Sequence, residues 1–291
     1  MTVSGKTRVC AVIGDPVKHS LSPCIHNAAF QHLKLDYVYV AFEVARGDLE
    51  KAVQGIKSLG IYGVNVTMPH KIAIMKHLDE LDETAETVGA VNTILNKKGK
   101  LIGYNTDGEG ALRALEAENQ NPAGKKVVIL GAGGASRSVS HSLAPLVREL
   151  MILNQAVDFE KAEKLAKELT TRFGSKIMYG KLSEDNLKRE LENADLFVNA
   201  TPVGMHPNEN ETPVDRGLLR RDLAIFDLVY HPCETRLLKE AKAVGAPTIE
   251  GLSMLVRQGA ASFEIWTGKK PPVDVMIEAA RERLKQLREA K

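Results

Sequence analysis

Cysteine is scarce: Cys10, Cys24 and Cys233 are far apart, odd in number and contain no Cys-x-x-Cys pair. That excludes a disulfide framework and a cysteine-based zinc module, and it reads as three reduced thiols in a cytoplasmic protein. Long apolar runs are lacking too. None reaches the ~18 residues that a membrane-spanning helix requires, so no membrane partner is expected. Residues Met1–Lys6 run straight into an apolar strand, without the basic segment and long apolar core of a secretory signal. An excess of one charge is also missing. Lys and Arg number 39 against 37 Asp and Glu, a net charge of +2. No global field for nucleic acid or an anionic surface arises, although a local basic pocket for a small anion remains open. There is no low-complexity segment and no short repeat. His19, His70, His206 and His231 fall in motif-rich loops, yet none pairs with another ligand residue at a recognised metal-binding spacing, so no metal is expected. His19 and His70 are expected to fix loops by hydrogen bonds. No Gly-x-Ser-x-Gly elbow follows Ser20, and no nucleophilic triad is visible.

What is present is an alternation of strands and helices. The chain has 291 residues, 44% hydrophobic and 26% charged, the proportions of a soluble globular protein with room for two domains. Strands are expected at Val9–Ile13, Asp36–Val44 and Gly63–Thr67, and a hairpin around Asn96–Gly99. Ser22 is expected to cap a helix with Pro23 in its first position, Asp48–Leu59 to be helical, and Pro69 to start another helix. Asn121–Gly124 breaks the pattern. A second series follows, with strands at Val127–Leu130, Leu150–Leu153, Lys176–Tyr179, Leu196–Asn199, Ala224–Leu228 and Pro247–Ile249. The last ~35 residues read as helical. The fold class is therefore α/β, with helices covering sheets.

Three motifs carry chemistry. Asn65–Lys71 and Gly103–Gly110 each place one ionisable residue, Lys71 or Asp107, just after a short apolar run. A lysine and an aspartate brought together favour each other's charged form and can move a proton. Asp107 also sits where a helix N-cap would be. The third motif is Gly131-Ala132-Gly133-Gly134-Ala135, set between a strand and a helix. Gly131 allows a tight turn, Gly133 lets backbone N–H groups approach a pyrophosphate, and the helix N-terminus adds partial positive charge. The third small position is Ser136 rather than glycine, so the dinucleotide fingerprint is partial. The following strand ends in Asn154-Gln155-Ala156, with no acid to hold a ribose diol. That leans toward NADP. Asp158 reads as the cap of the helix near Phe159, and Lys161 is a cation that either reaches a 2′-phosphate or is simply solvated on that helix.

These motifs, in this order, resemble the shikimate dehydrogenase family over nearly the whole chain. The matching stretches are Gly14–Pro23, Asn65–Lys71, Gly89–Thr93, Asn105–Asp107, Gly131–Ala135, Asn199–Met205 and Gly251–Gly259. The resemblance implies an N-terminal α/β substrate domain and a Rossmann-like dinucleotide-binding domain: 1–106 plus 252–291 for the first, 107–251 for the second. It implies reversible NADPH-dependent reduction of 3-dehydroshikimate to shikimate, in aromatic amino-acid biosynthesis. Lys71 and Asp107 would be the catalytic pair. Ser20, Ser22, Thr67, Asn92, Tyr230 and Gln258 would bind the substrate. Gly131, Ala132, Gly133, Gly134, Ala135, Asn154, Lys161, Thr201, Met205, Leu228 and Gly251 would line the cofactor. The family's NADP loop reads Asn-Arg-Thr where this chain has Asn154-Gln155-Ala156, so NAD use stays open. Two further readings are an NAD-dependent quinate/shikimate dehydrogenase and a non-catalytic ligand sensor on the same scaffold. Retention of both Lys71 and Asp107 argues against the sensor. The expected partner is a small molecule, with a homodimer left open.

Overall fold

The alternation read from the sequence becomes two sheets in the computed structural model, which describes residues 3–289. The chain divides into two units, one up to Asp107 together with Val256 onward, the other Gly108–Leu255. In chain order, β1 (Arg8–Gly14), α1 (Ser22–His32), β2 (Tyr37–Glu43), α2 (Leu49–Ser58), β3 (Gly63–Val66), β4 (Glu80–Leu81), α3 (Glu83–Val88), β5 (Thr93–Lys97) and β6 (Lys100–Tyr104) come first. Next are α4 (Asp107–Ala117), β7 (Lys126–Leu130), α5 (Gly134–Leu143), β8 (Glu149–Asn154), α6 (Phe159–Phe173), β9 (Lys176–Lys181) and α7 (Glu184–Leu191). Then follow β10 (Leu196–Asn199), β11 (Ala224–Asp227), α8 (Arg236–Ala243), β12 (Thr248–Glu250), α9 (Gly251–Thr267) and α10 (Val273–Glu289).

In the first unit the strand order is β2-β1-β3-β5-β6-β4. β1 runs parallel to β2 and β3, while β5 is antiparallel to β3 and β6. One core joins Ala11 and Ile13 of β1 to Val53 and Ile56 of α2 and to Val64, Val66 and Ile94. Aromatic residues gather elsewhere in the unit. Phe30 stacks on Tyr37 and Phe263, and His26 lies flat on Tyr39. Trp266 is buried, donates its ring N–H to the Ile94 carbonyl, and occupies the space where any side chain at Gly63 would stand.

The second sheet has the order β12-β11-β10-β7-β8-β9, parallel throughout. Along β7, Val127 and Ile129 face a cluster with α4, α5 and α6, and Val128 and Leu130 face another with α7 and α8. Both faces are covered, which is why these strands read as continuous apolar runs.

Three local expectations are corrected. Leu21 already has helical dihedrals, so Ser22 is inside the first turn of α1 and caps nothing; its N–H instead donates to Ser20 Oγ at 3.2 Å. Pro69 starts no α-helix: the His70 N–H closes a turn on the Thr67 carbonyl, and a 3-10 segment follows at Ala73–His77. Asp158 precedes α6 without a side-chain cap, its carboxylate being turned to Lys161 at 2.6 Å.

His26 is fully buried, its ring 4.5 Å from that of Tyr39 and 5.1 Å from that of Trp266. Burial pushes its imidazole down to about 3 from an ordinary 6.5. The neutral ring is therefore the folded form. Its contribution is complete above 6.5 and is lost as pH falls toward 3, with a slope of about 1.4 kcal/mol per pH unit in between. His26→Phe should flatten the acid limb of the stability curve by that one-proton slope. Urea unfolding of both chains from pH 6.5 to 4 checks it, and an unchanged slope would mean that the folded ring carries its proton.

Candidate active site

In the first unit, the geometry begins with a donor that has no alternative role. The Thr106 backbone N–H donates to Asn92 Oδ1 at 2.8 Å. A backbone N–H cannot accept, so the oxygen of the Asn92 amide is fixed on that side and its nitrogen on the other. Asn92 Nδ2 then donates to Asp107 Oδ1 at 2.8 Å, to Thr106 Oγ1 at 2.9 Å and to Gln258 Oε1 at 3.2 Å. With Oδ1 engaged, the other oxygen of Asp107 accepts from Lys71 Nζ at 2.6 Å. The lysine side chain is 19% exposed and the aspartate 7%, so the ion pair is largely shielded from solvent.

Local structure holds each member. The Val91 N–H donates to the Lys71 carbonyl, and Asn105 spans from the Ala90 carbonyl to the Asp107 N–H. Strand register adds a buried layer, because Asn65 of β3 pairs with Thr93 of β5. Asn65 Nδ2 reaches Thr93 Oγ1 at 3.1 Å and Ser262 Oγ at 3.0 Å, and its oxygen accepts from the Tyr39 hydroxyl at 2.7 Å. Sequence reasoning missed Asn65, Thr93, Asn105, Thr106 and Ser262 as supports of the site. The available signal was polarity at strand positions otherwise apolar, such as Asn65 between Val64 and Val66.

The expected residues divide accordingly. Lys71, Asp107, Asn92 and Gln258 are brought together. Ser20, Ser22 and Thr67 belong to the same unit, but among the described residues no hydrogen bond joins them to that cluster. Thr67 packs its methyl group on Gly14, where a Cβ would stand 2.3 Å from it. His70 Nε2–H donates to the Val44 carbonyl at 2.7 Å, the loop-fixing role expected of it. Tyr230 lies in the second unit, with all the expected cofactor residues.

In that second unit the strand order reverses between β7 and β10, where parallel α/β sheets bind dinucleotides at the carboxyl ends of the strands. Gly131 follows β7 with φ +99°, and a Cβ there would stand 2.9 Å from the Ala200 carbonyl oxygen. Gly133 has open space on its Cβ side and precedes α5 without any side-chain cap. Free backbone N–H groups at a helix start fit a pyrophosphate. Ser136, in place of a third glycine, is buried and donates to the Gly131 carbonyl at 2.6 Å, so it braces the turn. Ala132 and Ala135 are half-buried in the same turn. Asn154 ends β8 and donates to the Asp158 carbonyl at 2.7 Å, and Lys161 follows on α6.

The loop after β10 is tied by buried polar groups that sequence reasoning did not single out as supports. Thr201 Oγ1 donates to Asn199 Oδ1 at 2.6 Å, and Asn199 Nδ2 donates to Asp227 Oδ1 at 2.9 Å. Thr235 Oγ1 donates to Asp227 Oδ2 at 2.6 Å. Burial pushes the Asp227 carboxyl up to about 6, against the hydrogen bonds from Thr235, Val229 and Asn199 that favour its charge. Met205 is exposed on that loop. Leu228 is packed against the core, and any Cβ on Gly251 would strike the Leu228 and Val229 carbonyls. One expectation is corrected: His206 does pair with a carboxylate, its Nδ1 lying 2.8 Å from Glu209 Oε1, and its ring lies 5.2 Å from that of His231.

Comparison with known proteins bears on both units. Residues 12–94 match the model of the shikimate dehydrogenase substrate binding domain, residues 113–229 that of shikimate / quinate 5-dehydrogenase, and residues 251–281 that of the shikimate 5'-dehydrogenase C-terminal domain. A Methanopyrus kandleri protein named shikimate dehydrogenase (NADP(+)) is 53% identical, over 98% of this chain and 99% of its own length. A crystal structure of a shikimate dehydrogenase in complex with NADP+ is 48% identical, covers 97% of this chain and 98% of its own, and superposes with a TM-score of 0.92. The Listeria monocytogenes shikimate 5-dehydrogenase in complex with shikimate and NAD is 42% identical, covers 96% and 98%, and gives 0.90.

Truncation of the central amide provides a test of the network. Asn92→Ala removes the acceptor of the Thr106 N–H and a donor to Asp107, both buried. The expected loss is about 1–3 kcal/mol for groups left unsatisfied. Denaturant unfolding of the variant measures it, and wild-type stability would show that water or a rearranged side chain replaces the amide.

Proposed function

The chain belongs to the shikimate dehydrogenase family, and on that premise we propose that it catalyses reversible NADPH-dependent reduction of 3-dehydroshikimate to shikimate. The observation that carries the reading is the ion pair of Lys71 and Asp107, held by the Asn92 amide. Reduction of a ketone needs a hydride at carbon and a proton at oxygen. When bound, the dinucleotide supplies the hydride. Lys71 gives its proton to the ketone oxygen as negative charge develops there, and takes one from the hydroxyl in the reverse direction. Asp107 orients Lys71 and stabilises the ammonium that is re-formed. Asn92 and Gln258 bind substrate hydroxyls, Ser20 and Ser22 the carboxylate, and Thr67 and Tyr230 complete the substrate set.

In this reading the unit with residues 1–106 and 252–291 recognises the substrate and residues 107–251 hold the dinucleotide. Gly131–Ala135 would take the pyrophosphate, with Asn154, Thr201, Met205, Leu228 and Gly251 along the rest of the cofactor. Gln155 stands where the family has an arginine, so Lys161 is the cation assigned to the 2′-phosphate, in exchange for its contact with Asp158. The cytoplasm is the proposed location, supported by three cysteines that form no disulfide, and a homodimer is compatible with it.

Lys71→Ala should lower kcat by about 10²–10⁴-fold, the usual worth of a positioned proton donor. Initial rates of shikimate oxidation measure it, and a variant near wild type would remove Lys71 from proton transfer. The same assay run with NADP and NAD, and with quinate as second substrate, separates the proposal from an NAD-linked quinate/shikimate enzyme. Lys161→Ala should weaken NADP about two- to fivefold and leave NAD unchanged, the scale of one exposed charge contact. Direct binding of both nucleotides checks it, and equal losses for the two would deny Lys161 the 2′-phosphate.

A further inference from the structure

β10 and β11 are parallel neighbours, so the loops that leave their carboxyl ends emerge at one edge of the sheet. Each loop carries a histidine that the reduction does not use, His206 after β10 and His231 after β11. The His206 N–H donates to the His231 carbonyl at 2.9 Å, which clamps the two loops backbone to backbone. Arg236 of α8 donates to the Asn210 carbonyl at 2.9 Å and pins the far side of the same loop. Gly204 turns it with φ +87°, a conformation that side chains rarely adopt. On this fixed platform one ligand atom each of His206, Glu209 and His231 lies within 4.8 Å of the other two.

The geometry points to a binding site for a divalent first-row transition metal, of the zinc and nickel class, formed by His206, Glu209 and His231. Ligand atoms at ordinary zinc distances and tetrahedral angles stand ~3.4 Å apart, so the present spacing needs only side-chain adjustment. The ion would replace the proton now shared between His206 Nδ1 and Glu209 Oε1. Two imidazoles and one carboxylate suit zinc, nickel, cobalt or copper better than magnesium or calcium, which prefer sets of oxygen ligands. Three protein ligands leave at least one position for water. Occupancy would tie the β10 loop to the β11 loop through side chains as well as backbone. It would thereby restrain Met205 and Tyr230, the sequence neighbours of two ligands.

The test is calorimetric titration of the chelator-treated full chain with Zn²⁺, Ni²⁺ and Mg²⁺. The expected result is one Zn²⁺ or Ni²⁺ per chain and no response to Mg²⁺. His206→Asn and His231→Asn should each weaken Zn²⁺ at least tenfold and Glu209→Gln less, while His32→Asn, at an exposed helix end, should change nothing. Co²⁺ added to the wild-type chain should give the visible absorption of a low-symmetry nitrogen–oxygen site, a readout that does not depend on the variants folding. Absence of stoichiometric Zn²⁺ binding, retention of full affinity in the histidine variants, or a Co²⁺ spectrum identical to the hydrated ion would overturn the site. Binding is read without turnover, so failure here leaves the dehydrogenase reading untouched, and failure of that reading leaves this site standing.

Discussion

A hydrogen bond from a backbone N–H, that of Thr106, into Asn92 Oδ1 sets the geometry of the buried polar cluster in the first unit. It decides which end of one buried amide points where, and the remaining contacts follow. The amide nitrogen must meet Asp107, the carboxylate therefore offers its second oxygen to Lys71, and the ammonium is held without searching. A flexible lysine loses much rotamer entropy when fixed. Here that cost is met on folding, because the anchoring groups are a backbone N–H and buried side chains at the ends of β5 and α4, already held by their own hydrogen bonds. Such preorganisation is what positioned proton transfer requires.

The same device recurs in the second unit with different residues. Asn199 at the end of β10 orients its amide between Thr201 and Asp227, and Thr235 closes the set from the start of α8. In both units a buried asparagine at the end of a chain segment converts strand pairing into loop geometry. Buried polar groups of this kind stabilise only when fully satisfied. Asp227 shows the tension, for burial outweighs the three donors that favour its charge.

Legibility in the sequence followed the range of the deciding contact. The strands at 127–130 and 196–199 were readable because both faces of the parallel sheet are covered, leaving uninterrupted apolar runs. The strand Glu80–Leu81 was not, being two residues long and defined only by its partner β6. Ser22 and Asp158 look like helix caps in one dimension. Whether a side chain caps depends on one residue's dihedrals and on a competing partner, Leu21 in the first case and Lys161 in the second. Lys71, Asp107, Asn92 and Gln258 stand in motifs, whereas Ser262 meets Asn65, Thr93 and Thr106 only because the fold returns the chain to them across more than 150 positions. His206 and Glu209 are three apart and visible together. His231 joins them only because two strands lie side by side.

The packing of Trp266 on Gly63 has a practical consequence. It is the one tryptophan of the chain, and its ring, its indole N–H and the glycine beneath it all belong to the first unit. Light absorbed selectively by indole thus views that unit alone, whereas peptide circular dichroism views both. The chain carries a built-in optical label that can tell loss of the substrate-side core apart from loss of the dinucleotide-type sheet, without any chemical modification.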